Sequence, residues 1–258
     1  MKLYQQCVGE GPDLVLLHGW GLHSGIWSAS RDNLLDRLSR NYRVTMFDLP
    51  GHGYSSDIGE PGFDATISMI AEQLPPTSLL LGWSLGGLLA LQLACQFRQR
   101  ISALILIASN ARFTRTSDWP AAMAAETLNS FGAALLENPA STVQRFLALQ
   151  VLGSERQHEQ LQLLKQTMNE RPVARQWALQ RGLEMLRDID LRDRLALISQ
   201  PALLIYGQHD RIVPDQSGAT MAHLMPQARV LSIKGAGHAP FLSHHEQTGQ
   251  VISDFLDT

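Results

Sequence analysis

The chain has 258 residues, 45% of them apolar and 17% charged, with a formal net charge of −3. This length suits one α/β domain carrying an insertion, or two small domains, and the composition is that of an ordinary globular protein. The charge leaves no basic footprint that would draw nucleic acid or an anionic membrane.

Cys7 and Cys95, the two cysteines, make no disulfide framework and suit a reducing compartment. The apolar run near the N-terminus is too short for a signal-peptide core, and no stretch approaches the ~20 apolar residues of a membrane span. The expectation is a cytoplasmic monomer with no nucleic-acid or membrane partner.

Short apolar runs alternate with longer amphipathic stretches, as parallel strands joined by helices do. In chain order the pattern predicts a strand over 14–18, a helix over 28–40, a strand over 43–48 and a helix over 64–74. A strand over 79–83, a helix over 85–97 and a strand over 101–108 follow. After a long break come a strand over 202–207, a helix over 215–224, a strand over 229–233 and a helix over 245–256. All six strands read as runs buried on both faces.

From 112 to 187 the rhythm stops, and the residues are mainly good helix formers: Ala, Leu, Gln, Glu and Arg. An all-helical stretch inserted between strands predicts a cap over the carboxyl edge of the sheet, where open α/β sheets bind ligands. The expected architecture is therefore α/β: a mostly parallel sheet flanked by helices, with an inserted helical cap. Its parts are a core over 1–111, a cap over 112–187 and the rest of the core over 188–258. Internal repeats are absent.

The segment LLLGWSLGGLLA, 79–90, breaks an apolar run with one hydroxyl among glycines. Gly82-Trp83-Ser84-Leu85-Gly86 matches the G-x-S-x-G elbow between a strand and a helix, which presents a nucleophilic serine. The competing reading is a serine that merely caps the helix. A hydroxyl needs a base at neutral pH. Of nine histidines, His238 in KGAGHAPF, just past the last strand, is the best placed. His18 reads instead as a residue that positions backbone.

A carboxylate must orient the base. Asp210, in YGQHDRIVP after the 202–207 strand, completes the order Ser, Asp, His expected of an α/β-hydrolase. Asp48 precedes Ser84 and reads as a turn-shaping residue. The oxyanion donors expected are the amides of Leu85, directly after the nucleophile, and of Trp20 in the HGWG turn. There is no metal-ligand cluster, and the glycines spell no phosphate loop, so no metal and no cofactor is expected.

LLHGWGLHSGIW, FDLPGHGYSS, LLGWSLGGLLALQLA, TVQRFLALQVLG, YGQHDRIVP and GAGHAPFLSHHEQ together resemble the pimeloyl-[acyl-carrier protein] methyl ester esterase family of biotin synthesis. The resemblance implies a serine esterase with Ser84, Asp210 and His238 as nucleophile, acid and base. It implies Trp20 and Leu85 as oxyanion and substrate contacts. It also implies Phe146, Leu147, Ala148, Leu149 and Gln150 as a cap segment lying along the acyl chain. Val143, Phe146, Leu147 and Gln150 share a helix face, which in general serves packing more often than substrate.

An acidic acyl carrier protein is the implied partner, and it calls for a basic docking surface. Residues 112–187 hold nine Lys/Arg against seven Asp/Glu. The candidates are Arg145, Arg156, Lys165, Arg171 and Arg175, while Ser141, His158 and Gln162 stand where the resemblance implies further arginines. A broad short-chain carboxylesterase, or a carbon–carbon bond hydrolase using the same triad, remains the alternative.

Overall fold

The computed structural model describes residues 2–30, 33–56 and 58–257. Among them seven strands form one sheet: β1 (Gln5–Val8), β2 (Asp13–Leu17), β3 (Arg43–Phe47), β4 (Ser78–Trp83), β5 (Ile101–Ile107), β6 (Ala202–Gly207) and β7 (Ala228–Ile233). Their order is β1-β3-β2-β4-β5-β6-β7. β1 runs antiparallel to β3, and every other neighbour is parallel. The chain leaves β2 for β3 on one side and β4 lies on the other, so β2 and β4 flank the switch point at which such sheets hold ligands.

The strands predicted as buried runs are so in the middle of the sheet: β6 is buried at every position and β5 at all but one. β7 corrects the expectation. Three of its six residues are exposed and two half-buried, because it is an edge strand paired only with β6. The opposite edge, β1, was not predicted; its residues QQCV carry no apolar run and are mostly exposed.

Ten helices accompany the sheet among the described residues. Before the insertion stand α1 (Leu34–Leu38), α2 (Phe63–Ala71) and α3 (Leu85–Gln96). Of the helix expected over 28–40 only α1 forms, preceded by a 3-10 turn at Ser24–Ser28; Arg31 and Asp32, within that prediction, lie outside the described residues. α3 is apolar all round and buried from Leu85 to Cys95, as a helix laid against the sheet must be. It packs on β2, β4 and β5.

The inserted stretch is helical as expected: α4 (Ala125–Glu137), α5 (Pro139–Val151), α6 (Gln157–Asn169) and α7 (Gln176–Asp188). α5 packs on α4 and α6, and α7 packs on α4 and α3. Asn138 caps α5 by accepting from the Ser141 amide, with Pro139 in the first turn where its missing N–H costs nothing. After β6 the chain adds α8 (Gln216–Leu224), α9 (Pro240–Ser243) and α10 (His245–Leu256). Cys7 and Cys95 are both free thiols. Among the described residues no helix is long and apolar enough to cross a membrane.

Candidate active site

Ser84 sits between β4 and α3 with φ 54° and ψ −116°, outside both helical and extended regions. A non-glycine residue held there is strained, and strain of this kind concentrates at functional positions. The capping alternative fails, for the Ser84 side chain makes no cap hydrogen bond. Its backbone is held instead: Ser84 N donates to Ile107 O at 2.9 Å, and Ser109 Oγ donates to Ser84 O at 2.9 Å. Glycine is obligatory at Gly86, where a Cβ would lie 2.2 Å from Leu17 O and 2.6 Å from His18 O. That close approach lets the first turn of α3 press against the end of β2.

Asp210 lies three residues past β6. Its Oδ1 accepts the amides of Ile212 (2.8 Å) and Val213 (3.0 Å), leaving Oδ2 to pair with His238 Nδ1 at 2.7 Å. Both side chains are fully buried. A carboxylate acceptor assigns the Nδ1 proton to His238 and makes Nε2 the basic nitrogen. That Nε2 is buried and has no partner among the described residues. The ring is placed from two sides: Trp83 Nε1 donates to His238 O at 2.8 Å, and His238 N donates to Gln150 O at 2.9 Å. Trp83 directly precedes Ser84, so one indole links the elbow to the histidine loop. The burial and the coulombic field around Asp210 also raise the neighbouring Tyr206 hydroxyl, whose proton goes to Ser109 O.

The two predicted oxyanion donors come from the ends of adjacent strands, since Leu17 of β2 is level with Gly82 of β4. Leu85 opens α3, where its N–H has no acceptor within the helix. Trp20 is buried and its indole donates to Leu179 O of α7 at 2.7 Å. Its ring lies 4.6 Å from that of Phe146, which in turn meets Phe131 edge-on at 5.4 Å. Phe146, Leu147 and Gln150 are buried and Ala148 and Leu149 half-buried, so the α5 segment forms a wall against the Trp20 turn. The Gln150 Oε1 atom is buried and without a partner among the described residues.

His18 positions backbone as expected: its Nε2 accepts the Leu49 amide at 2.9 Å and its Nδ1 faces Gly19 O at 2.8 Å. Burial, with His52 beside it, pushes its pKa down to about 3. Asp48 shapes the loop after β3, accepting from Ser24 N and Oγ on Oδ1 and from Tyr54 N on Oδ2. Burial opposes its charge, but the His18 ring and these donors outweigh that and hold the carboxyl below its ordinary value.

The basic candidates part company. Arg145 on α5 is exposed with its guanidinium 5.7 Å over the Phe131 ring, Arg156 is exposed ahead of α6, Lys165 is half-buried on α6, and Arg175 is exposed. Arg171 is not a docking residue: its side chain is only 11% exposed and pairs with Asp48 at 2.9 Å. Ser109, His23, Ser24 and Arg171 were missed as site-building residues, since each acts through partners distant in sequence, and the LLHGWGLHSGIW segment that holds His23 and Ser24 does not reveal those partners.

A strained serine elbow and a buried Asp–His pair at one sheet edge define an α/β hydrolase, and the profile of the alpha/beta hydrolase fold matches residues 12–245. An esterase from Exiguobacterium antarcticum has the same fold, with a TM-score of 0.88 at 22% identity over 99% of this chain and 96% of that one. A protein of Xanthomonas oryzae pv. oryzae is 42% identical over 250 residues, 96% of each chain. One of Nitrosomonas europaea is 41% identical over 95% of this chain and 96% of its own. Both are pimeloyl-[acyl-carrier protein] methyl ester esterases by name, and this chain belongs to their family.

Proposed function

We propose that the chain hydrolyses the methyl ester of pimeloyl-[acyl-carrier protein] methyl ester, giving pimeloyl-[acyl-carrier protein] and methanol in biotin synthesis. The observation that carries the chemistry is the buried Asp210–His238 pair with its free Nε2, linked through Trp83 to the strained Ser84. The substrate rests on the two near-full-length relatives that bear that name.

Ser84 Oγ attacks the ester carbonyl as His238 Nε2 takes its proton, and Asp210 steadies the imidazolium. The oxyanion is held by the Leu85 and Trp20 amides. Collapse breaks the bond to the methoxy oxygen, and His238 returns the proton so that methanol leaves. A water deprotonated by His238 then attacks the acyl-enzyme, freeing the carboxylate and restoring Ser84.

The helices over 112–187 act as the cap, between core parts 1–111 and 188–258. α7 runs one residue past that boundary, and Arg112 pairs with Asp190 across the neck at 2.6 Å. One residue past Trp20 begins a mainly apolar groove of about 350 Å³, walled by Gly21, Val143, Met168, Val173, Ala174 and Leu179, with Gln144, Asn169 and Gln176 also on its lining. A methylene chain gains ~0.8 kcal/mol per buried CH₂, so such a slot selects chain length without charge and keeps the carrier thioester away from Ser84. Arg145, Arg156 and Lys165 face the acidic carrier. A cytoplasmic monomer suits the two unpaired thiols.

The test is methanol release from methyl pimeloyl-acyl carrier protein, with Ser84→Ala as control and a short soluble methyl ester as comparator. Expected is a preference for the carrier substrate, and a loss of several orders of magnitude in the variant. Preference for the short ester would overturn the carrier assignment and favour a broad carboxylesterase. A Ser84→Ala variant with most of its activity would overturn the nucleophile.

A further inference from the structure

Ser84 is 2% exposed and His238 fully buried, so this conformation is closed and the inserted helices must move for substrate to enter. What the closed state fastens is therefore informative. Arg171 follows α6 and reaches into the core. Its Nη1 donates to Ser24 Oγ at 2.7 Å and to Asp48 Oδ1 and Oδ2 at 2.9 and 3.0 Å, and its Nη2 to Gln6 Oε1 at 3.2 Å. The guanidinium sits beside a pair of edge-packed rings, 5.2 Å from Tyr4 and 5.1 Å from Tyr54, which are 4.9 Å from each other. Next to Ser24, His23 Nε2 faces Thr167 O of α6 at 2.7 Å while Nδ1 accepts the Gly25 amide at 3.1 Å. Three residues earlier, the Trp20 indole is fastened to Leu179 O of α7.

We propose that Arg171 is a positioning residue that couples seating of the inserted helices to assembly of the oxyanion hole; this rests on the acyl-transfer reading above. The turn carrying the Trp20 amide has a permanent anchor on the core side, through His18 to Leu49. Its other end, His23 and Ser24, has one tie to the core, Ser24 N and Oγ donating to Asp48 Oδ1, and two to the insertion, His23 to Thr167 O and Ser24 Oγ to Arg171. With those helices lifted, Arg171 leaves Asp48 and Ser24, His23 loses Thr167 O, and that end of the turn keeps only the Ser24–Asp48 bonds. When the helices seat, Arg171 Nη1 closes over Ser24 Oγ and both Asp48 oxygens and, with the His23–Thr167 contact, stiffens that end of the turn. An oxyanion donor works only at hydrogen-bond distance from the developing charge, and a displacement of 1 Å costs up to ~10²-fold in rate.

The experiment compares wild type with Arg171→Leu, Arg171→Gln and Arg171→Lys on a small soluble methyl ester, each normalised to active sites titrated with a fluorophosphonate. A second readout is inhibition by a trifluoromethyl ketone, whose hemiketal oxygen needs the same two amides. Expected for Arg171→Leu is a ~10- to 100-fold fall in kcat per titrated site with KM little changed. The ketone should weaken by the same factor, and Arg171→Lys should recover part of both. Should Arg171→Leu fail to fold, Arg171→Gln, which retains a donor for Ser24, carries the same comparison. Unchanged kcat per site and unchanged ketone affinity, whatever the melting temperature, would overturn the proposal and leave Arg171 a stabilising ion pair. A wild-type enzyme that the fluorophosphonate does not label would instead bring down the acyl-transfer reading, and this inference with it.

Discussion

At the scale of single residues the site turns on which atom faces which. Asp210 divides its two oxygens between tasks, Oδ1 on the Ile212 and Val213 amides and Oδ2 on His238 Nδ1. In Asp210→Asn the Ile212 and Val213 amides can donate only to the oxygen, so the new NH₂ must face the imidazole. His238 then has to accept at Nδ1 and carry its proton on Nε2, the wrong tautomer for taking the Ser84 proton. The expected result is a fall of about 10⁴-fold in kcat with little change in melting temperature. A loss below tenfold would show that Asp210 does not orient the base. This part of the site was legible because each member stands in a local context: an elbow between a strand and a helix, and two loops just past strand ends. Arg171 was not legible. It is one of nine basic residues in the insertion, and its partner Asp48 lies 123 positions away; no local pattern announces an ion pair made by tertiary folding.

At the scale of elements, α5 has two faces with separate duties. Val143, Phe146, Leu147 and Gln150 are buried toward the core and the Trp20 turn, while Ser141 and Arg145 face outward. Arg145→Glu should therefore lower kcat/KM for the carrier-bound ester by roughly tenfold, chiefly through slower association, and leave the small methyl ester nearly unaffected. The difference should shrink with added salt. Equal losses on both substrates would mean that the residue acts through its stacking on Phe131. The helical character of this insertion followed from composition, but how it docks did not, because amphipathic spacing does not say what the apolar stripe meets. The sheet edges were the other failure. β1 escapes because an exposed edge strand has no need of an apolar run, and β7 misleads because its apolar residues stand at an edge where little covers them. Central strands are covered on both faces and leave an unmistakable signature.

At the scale of the molecule, three imidazoles are enclosed where the core meets the inserted helices. Burial lowers all three: His18 to about 3 with His52 adding to the effect, His52 to about 4, and His23 below its ordinary value with the charge of Arg171 acting in the same direction. In the unfolded chain each titrates near ~6.5. Above that value neither state is protonated and the stability is fully present. As pH falls from there toward the folded values the unfolded chain takes up protons that the folded one refuses, so stability declines, by ~1.4 kcal/mol per pH unit for each of His18 and His52, with His23 acting in the same direction. The depressed carboxyl of Asp48 adds a further loss only in the carboxylate range below this window. Urea midpoints measured from pH 7.5 to 4.5 should fall steadily with acid. His52→Phe separates this effect from general acid denaturation. The His52 ring gives one hydrogen bond, Nδ1 to Pro50 O at 2.9 Å, and its Nε2 has no partner among the described residues, so an apolar ring of similar size costs little. That variant should lose stability less steeply with acid, by about one ring's share of the slope. Identical slopes would mean that His52 takes up its proton in the folded protein as readily as in the unfolded chain, and that the junction between core and inserted helices admits charge.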